Sequence, residues 1–86
     1  MFFNLYLISG NFDESKTCAN CLSFDKSGNM LVVGYDDSNI RVFNAQNVRM
    51  ETIFKGHEDG VLDLIFDPNN KSLITASSDK TFRIWQ

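Results

Sequence analysis

The side chains best suited to chemistry in this 86-residue chain are a single histidine and two cysteines. His57 could act as a general base only if a nucleophile or an acid were held against its ring. The sequence around His57 contains no recognisable nucleophile–base pattern. A structural role for His57 is therefore the favoured interpretation, and no catalytic residue is predicted.

Cys18 and Cys21 form a C-x-x-C pattern, which is typical of redox pairs and of half a zinc site. A thioredoxin-like pair would be followed by a helix, but a strand-like pattern follows here. A closed zinc site needs four ligands, and the chain has no second cysteine pair. Ordinary strand cysteines with no metal and no cofactor are favoured, and a zinc- or redox-active fragment built on these two residues stays open.

Charge and glycine placement disfavour nucleic-acid and nucleotide partners. The formal net charge is −3, the lysines are scattered, and no glycine-rich phosphate loop is present. Asp37 and Asp79 could be paired carboxylates of a glycosidase, but they occupy matching turns 42 positions apart. They are better interpreted as repeated structural elements, and no direct contact with nucleic acid is expected.

The apolar segment from Met1 to Ile8 bears on location. It lacks a positively charged start and is too short to span a bilayer, so we predict neither a signal peptide nor a membrane partner. Two cysteines without a secretory signal favour a reducing compartment. An intracellular location, cytoplasmic or nuclear, is expected.

Short β-strands must position these residues. Apolar residues recur with a period of two, for example over 22–25, 62–67 and 82–85, which predicts strands rather than helices. Segments rich in Asp, Asn, Ser and Gly separate these strands at matching places, and they predict turns. Each half of the chain thus predicts strand–turn–strand–turn–strand, and segment 50–54 adds a fourth strand to the first half.

The two halves match at an offset of 42 residues. Segment 22–25 falls on segment 64–67, and both contain Leu, Phe and Asp in the same order. Further matched pairs are Leu31 with Leu73, Asp37 with Asp79, Arg41 with Arg83, and Phe43 with Trp85. A fixed period of this size indicates a supersecondary unit that buries its apolar face against its neighbours, as a propeller blade does.

The second half resembles a repeat of the WD-repeat family. It contains Gly56-His57 where that family opens a repeat, and Trp85-Gln86 where the family has Trp-Asp. The resemblance extends over about 17–86 and is weaker in the first half, where Asp37 and Phe43 support it. It implies an all-β fold of two four-stranded antiparallel blades from an incomplete propeller.

A more specific resemblance concerns the end of the chain. The run from Phe24 to Phe43, followed by a repeat that stops at its third strand, resembles the C-terminal end of splicing-associated ubiquitin-ligase propellers of the pre-mRNA-processing factor nineteen type. It is also similar to the final repeats of axonemal sperm-antigen propellers. Both resemblances imply that the chain is the last two repeats of a larger propeller.

The resemblance to WD repeats implies a hydrogen-bonded network that locks the second blade. A histidine between a turn aspartate, a hydroxyl and an indole N–H satisfies polar groups that are costly to bury alone. The expected members are His57, Thr75, Asp79 and Trp85, with Ser77 as the alternative hydroxyl. The matching positions of the first blade are Ser15, Val33, Asp37 and Phe43. Only the aspartate is kept there, so that blade is expected to depend on apolar packing.

The same resemblance implies an organisation of the chain. Residues 1–16 would be a leftover outer strand and linker of a preceding blade, 17–55 a degenerate first blade, and 56–86 a second blade that lacks its outer strand. Segment 1–8 could instead pair with the open edge of the last blade. Remaining propeller blades, or further copies of the chain paired through open strand edges, are the expected structural partners.

The expected function is a non-catalytic protein–protein interaction scaffold that binds other proteins or peptides. Family geometry implies a partner-binding face at Cys18, Asn20, Asp36, Gly60, Leu62 and Ser78. One alternative is a substrate-binding fragment of a splicing-associated ubiquitin ligase, whose enzymatic activity would lie in another domain. The other alternative is the zinc- or redox-active fragment described above.

Overall fold

The chain forms short antiparallel strands in a computed structural model, which describes residues 17–67, 69 and 71–86. The described part contains no helix. The expectations for 1–16, including those for Ser15, lie outside the described residues. The strands are β1 (Ala19–Phe24), β2 (Met30–Tyr35), β3 (Ile40–Asn44), β4 (Met50–Phe54), β5 (Val61–Asp67), β6 (Ser72–Ser77) and β7 (Phe82–Trp85).

These strands form two consecutive sheets in which neighbours along the chain pair with each other. The first sheet has the order β1-β2-β3-β4, and the second has the order β5-β6-β7. All the pairs are antiparallel. The predicted all-β fold with successive antiparallel sheets is confirmed. Within the described residues, the first sheet has the predicted four strands, whereas the second has three.

The turns of the two sheets repeat at the same offset as the sequence. Ser38 and Lys80 both have left-handed backbones, with φ values of 74° and 73°. The Asp36 N–H donates to the Cys18 carbonyl oxygen at 2.9 Å, and the Ser78 N–H donates to the Gly60 carbonyl oxygen at the same distance. The two 42-residue units therefore share their backbone geometry as well as their sequence pattern.

The main core lies between the sheets. We call the sides that meet there the joined faces, and the opposite sides the outer faces. The buried core comprises Val32, Ile40, Val61, Leu64 and Leu73. Cys21, Val42, Phe54, Phe66 and Trp85 pack around it. Because neither sheet can cover its own apolar face, each is stabilised by burial against the other.

Gly34 sets the separation of the sheets at the centre of this core. A Cβ atom on Gly34 would lie 2.6 Å from Cγ1 of Val61 and 2.7 Å from Sγ of Cys21. No side chain fits at such distances, so the absence of one lets β2 approach β5 closely. The fully buried Val61 fills the space that this glycine leaves.

Candidate functional site

The structure brings His57, Thr75, Asp79 and Trp85 together in one hydrogen-bonded chain. Nδ1 of His57 lies 2.9 Å from Oδ2 of Asp79, and Nε2 lies 2.7 Å from the hydroxyl of Thr75. Nε1 of Trp85 donates to the same hydroxyl at 2.8 Å. Three elements supply these side chains: the loop before β5, strand β6 with the turn that follows it, and the end of β7.

The directions of these bonds agree with one protonation pattern. The indole N–H can only donate, so the Thr75 oxygen accepts from Trp85. The Thr75 hydroxyl proton is then available to Nε2 of His57, and Nδ1–H donates to the Asp79 carboxylate. With its proton on Nδ1, a neutral His57 ring gives a hydrogen-bond partner to each of the four side chains in this network.

The arrangement of Thr75, His57 and Asp79 has the connectivity of a hydrolase triad, but its hydroxyl is not accessible. The side chain of His57 is completely buried, and Thr75 has no exposed surface. A nucleophile must reach its substrate, and this hydroxyl already accepts the indole proton. The chemistry of this cluster is internal hydrogen bonding that holds the second sheet together.

Asp79 anchors the outer end of this network. Hydrogen bonds from the Thr81 hydroxyl, the Glu58 N–H, His57 and the Thr81 N–H outweigh the effect of burial and hold the pKa of Asp79 well below its ordinary range. The Glu58 N–H lies 3.0 Å from Oδ2, and the Thr81 N–H lies 2.8 Å from Oδ1. The carboxylate thus ties the loop before β5 to the turn between β6 and β7. Ser77, the alternative hydroxyl, instead donates to the Asp59 carbonyl oxygen at 3.0 Å.

Asp37, the matching aspartate of the first sheet, has a different partner. It forms two hydrogen bonds with Arg41, at 3.0 Å and 2.7 Å. The guanidinium carbon also lies 4.8 Å from the ring centroid of Tyr35, a cation–π distance. Burial would raise the pKa of Asp37, but Arg41 and the Asn39 N–H lower it to a net value below the ordinary one.

Arg41, whose side chain is 8% exposed, has a structural role that the sequence pattern did not predict. The first sheet was expected to depend on apolar packing instead of a histidine network, and the structure adds an ion pair between Asp37 and Arg41. The available signal was the four-residue spacing of Asp37 and Arg41 across a tight turn. The 42-residue offset aligns Arg41 with Arg83, but Asp79 in the second sheet pairs with His57 and not with Arg83. Comparison of the two repeats therefore did not indicate the pairing of Asp37 with Arg41.

The six residues of the expected partner-binding face lie at one end of the strands, where β1 and β5 begin and the turns after β2 and β6 lie. We call this region the bulge edge, because β1 and β5 each contain a bulge at that end. The register shifts lie between Ala19 and Cys21 and between Val61 and Asp63, so Asn20 and Leu62 are the extra residues. Bulges redirect side chains at the ends of sheets.

Part of the bulge edge holds the two sheets together. The Asn20 amide donates to Oδ1 of Asp36 at 2.6 Å and to the Val61 carbonyl oxygen of the second sheet at 3.0 Å. A Cβ on Gly60 would lie 3.2 Å from Oδ1 of Asp36, so these units are also in close contact there. The structure thus assigns Asn20 to a contact between the sheets, which the sequence pattern did not predict.

The remainder of the bulge edge faces solvent. Leu62 is 55% exposed, and Cys18, Asp36 and Ser78 are exposed as well. An aliphatic side chain that projects from a bulge beside polar groups can pack against a partner without rearrangement of the strands. The arrangement offers both apolar and polar binding contacts.

The two cysteines of the C-x-x-C pattern differ in exposure. Cys18 and Cys21 are both free thiols, and only Cys18 is exposed. Burial raises the pKa of the Cys21 thiol, which opposes formation of the reactive thiolate. Residues 17–67, 69 and 71–86 contain no group of three or more side chains of metal-binding type. The zinc or redox alternative therefore gains no support.

Membrane crossing by a helix also finds no support in the structure. Within the part of the chain that is described, there is no helix with the length and apolar character needed to span a bilayer.

Two family models match this chain. A model described as "WD domain, G-beta repeat" matches residues 48–86. A second, described as the WD40 domain of anaphase-promoting complex subunit 4, matches residues 4–63. The two matches together cover both 42-residue units.

The chain is also similar to segments of several longer proteins. The Periodic tryptophan protein 2 homolog of Dictyostelium discoideum is 40% identical over 72 residues, which are 83% of this chain and 8% of that protein. WD repeat and HMG-box DNA-binding protein 1 of Mus musculus is 36% identical over 69 residues, 80% of this chain and 6% of that protein. Transcriptional corepressor LEUNIG_HOMOLOG of Arabidopsis thaliana is 32% identical over 65 residues, with shares of 76% and 8%.

The chain spans less than a tenth of the length of each of these relatives. None of the three names describes a ubiquitin ligase of the splicing type, so the narrower resemblance to that class gains no support.

Proposed function

Because this chain belongs to the WD40-repeat family of β-propeller proteins, we propose that it is a non-catalytic docking module for other proteins. One observation favours the bulge edge as the docking surface. Leu62 is an aliphatic side chain on an ordered strand, yet it is 55% exposed and projects from a bulge instead of packing in a core. Such a residue gains apolar contacts only from a partner.

The charges around Leu62 favour a particular kind of partner. Asp36 is exposed, and its carboxylate is bonded to the neutral amide of Asn20. Glu58 and Asp59, in the loop before β5, are exposed as well. A peptide segment with an apolar side chain next to a lysine or arginine would match this surface, because opposite charges favour encounter and fix orientation.

Direct binding to nucleic acid is not proposed. The net charge is −3, and the exposed carboxylates of Asp36, Glu58 and Asp59 accompany the exposed lysines Lys55 and Lys80 at this end of the strands, so no basic surface forms there. The name of one relative includes DNA-binding, but this chain matches only 6% of that protein. An intracellular location, cytoplasmic or nuclear, is consistent with relatives that are named as a DNA-binding protein and a transcriptional corepressor.

A peptide selection would test this proposal. A displayed library of random peptides is selected on the wild-type chain, and the dissociation constants of enriched peptides are measured by fluorescence anisotropy. We expect enriched peptides to combine a basic and an apolar residue. Leu62→Ser should weaken their binding by about fivefold or more, and Asp36→Asn should weaken it in a salt-dependent way.

A matched control variant is Met50→Ser. Met50 is 50% exposed and pairs with Phe43 at the opposite end of the strands. The Met50→Ser substitution therefore removes a similar apolar surface away from the bulge edge. Peptides that bind Leu62→Ser as tightly as wild type, or that lose affinity equally with Met50→Ser, would show that the bulge edge is not the docking surface.

A further inference from the structure

The outer face of the second sheet is mostly apolar, although it also carries the exposed carboxylate of Asp63, which pairs with Ala76. Ile65, Ile74 and Ile84 lie opposite one another across its three strands. Ile65 is 62% exposed, Ile84 is 57% exposed, and Phe82 in the neighbouring row is 71% exposed. A contiguous exposed surface of this kind is uncommon on a protein without a binding partner.

The outer face of the first sheet is also apolar, but its shape is different. Leu22 is 62% exposed and Phe24 is 55% exposed. Together with Leu31 and Phe43 they line an open groove of about 290 Å³. The molecule therefore presents an apolar surface on one side and an apolar groove on the other.

The 42-residue repeat relates these outer faces to the joined faces. Leu22, Phe24 and Leu31 occupy the same positions in the first sheet as Leu64, Phe66 and Leu73 in the second. Ile74 and Ile84 likewise correspond to Val32 and Val42. These outer-face residues thus match residues of the core between the sheets, namely Leu64, Phe66, Leu73, Val32 and Val42. At these positions the two outer faces therefore have the residue types of the two halves of an interface that the chain already forms. Asp63 is an exception, because it stands where the core has Cys21.

We propose that a second copy of this chain docks on the outer face of the second sheet through the outer face of its own first sheet. The contact would continue the interface between the two sheets of one chain into the next chain. This goes beyond the proposed docking function, because it uses sheet faces that the bulge edge does not include. It also differs from pairing through open strand edges, since side chains rather than backbone groups make the contact.

Side-chain sizes at the centre of the interface favour a second copy as the occupant. Within the chain, Gly34 faces Val61, and a Cβ atom at position 34 would clash with that valine. The residues that correspond to this pair in the contact between chains are Ala76 of one copy and Ala19 of the next. Ala76 is larger than Gly34, and Ala19 is smaller than Val61. The two differences compensate, so the close approach of the strands is preserved.

Such a contact is heterologous, because the two copies use different surfaces. Heterologous contacts close into rings when the rotation between subunits allows it. Propellers contain about four to eight sheets, so a closed ring would contain about two to four copies of the described pair of sheets.

The first test measures mass by light scattering over a concentration series. The wild-type chain should form assemblies larger than a monomer. Ile84→Glu should disrupt assembly on the outer face of the second sheet, and Leu22→Glu should disrupt it on that of the first. Each mutant still has one intact face, so an equimolar mixture of the two should form a one-to-one dimer. Recovery in the mixture shows that both mutants are folded.

The charge-matched control is Asn69→Asp, at an exposed position in the turn between β5 and β6, outside the strands that form the two outer faces. It should assemble like wild type. A wild-type chain that remains monomeric at every concentration would overturn the proposal, because the apolar faces would then need another occupant. Assemblies that persist in both Ile84→Glu and Leu22→Glu would also overturn it.

A second test uses size complementarity. Ala19→Val should weaken assembly, because a valine would meet the Cβ of Ala76 on the next copy. Combining Ala19→Val with Ala76→Gly recreates the pair found at Val61 and Gly34, and it should restore the wild-type mass. Assembly that is unchanged by Ala19→Val, or that is not restored in the double variant, would contradict the proposed register.

Discussion

The indole ring of Trp85 stacks on the ring of Phe54 across the junction between the two sheets. Their centroids are 5.6 Å apart and the ring planes differ by 11°. The same indole donates its N–H to Thr75, so one side chain connects the polar network of the second sheet to the apolar packing between the sheets. The network is therefore coupled to the association of the two repeats.

Trp85→Ala should destabilise the chain by about 1–4 kcal/mol, because it leaves a cavity beside Phe54 and removes the hydrogen bond that the Thr75 hydroxyl accepts. Trp85→Phe retains an aromatic ring for stacking and loses only the hydrogen bond, so about 0.5–1.5 kcal/mol is expected. Urea unfolding followed by circular dichroism measures both values. Equal losses for the two variants would show that stacking contributes little.

Thr75→Val should be more destabilising than its small change in size suggests. Valine has nearly the shape of threonine but leaves both the Trp85 N–H and Nε2 of His57 without a partner in a buried site. A loss of about 1–3 kcal/mol is expected, whereas Thr75→Ser retains the hydroxyl and should fold normally with a smaller loss.

His57→Ala should destabilise by about 1–4 kcal/mol. Equal midpoints of thermal unfolding for wild type and His57→Ala would contradict a stabilising network.

Acid should weaken the fold through Asp79. Its pKa in the folded chain lies below the ordinary value, about 3.9 in an unfolded chain, so folding favours the ionised carboxylate. This contribution is complete at pH values above the unfolded pKa and is lost as the pH falls toward the folded pKa. Asp37 and Asp25 have lowered pKa values as well and act in the same direction.

Unfolding by urea at a series of pH values from neutral to strongly acidic tests this prediction. Asp79→Asn should be less stable at neutral pH and should lose less stability on acidification than wild type does. Glu51→Gln removes an exposed carboxylate from β4 and serves as the matched control. If acid destabilises wild type and Asp79→Asn equally, the carboxylate does not have the predicted role.

Arg41→Met should destabilise the first sheet by about 1–3 kcal/mol, because it removes hydrogen bonds to a charged group and leaves Asp37 without its ion pair. Arg41→Lys retains the charge but cannot make the paired hydrogen bonds, so an intermediate loss is expected. A double-mutant cycle with Asp37→Asn isolates the interaction. A coupling energy near zero would show that the pair does not support the fold.

Gly34→Ala should destabilise the junction of the sheets by about 1–3 kcal/mol, because the added methyl group overlaps Val61 and Cys21. Val61→Ala in the same chain would remove the overlap with Cγ1 of Val61, so the double variant should be more stable than the sum of the single changes predicts. Thermal unfolding of the four chains measures this. Strict additivity would indicate that the two residues do not compete for space.

Much of the strand plan was predictable from local patterns. The period-two alternation and the turn segments place the strands because side chains point to opposite faces of a strand in turn, and this property depends only on neighbouring residues. The strand at 50–54, for example, was predicted with the bounds that the structure gives it. The repeated turns around Ser38 and Lys80 follow from the same local chemistry.

Partners that are distant in the sequence were harder to predict. The bonds from Asn20 to Asp36 and to Val61 connect residues that no periodic pattern relates. The pairing of Asp37 with Arg41 was obscured for another reason. Equivalent aspartates in the two repeats have different partners, and the choice depends on whether a histidine is available in three dimensions.

The amino-acid sequence by itself determined that this chain forms two copies of one antiparallel unit, because alternation, turn residues and the 42-residue offset are properties of the chain order. Only the tertiary structure decided how the copies join. The close approach at Gly34, the amide bridge of Asn20 and the stacking of Trp85 on Phe54 all depend on distances between sheets. Such distances result from the packing of whole faces, which local sequence does not encode.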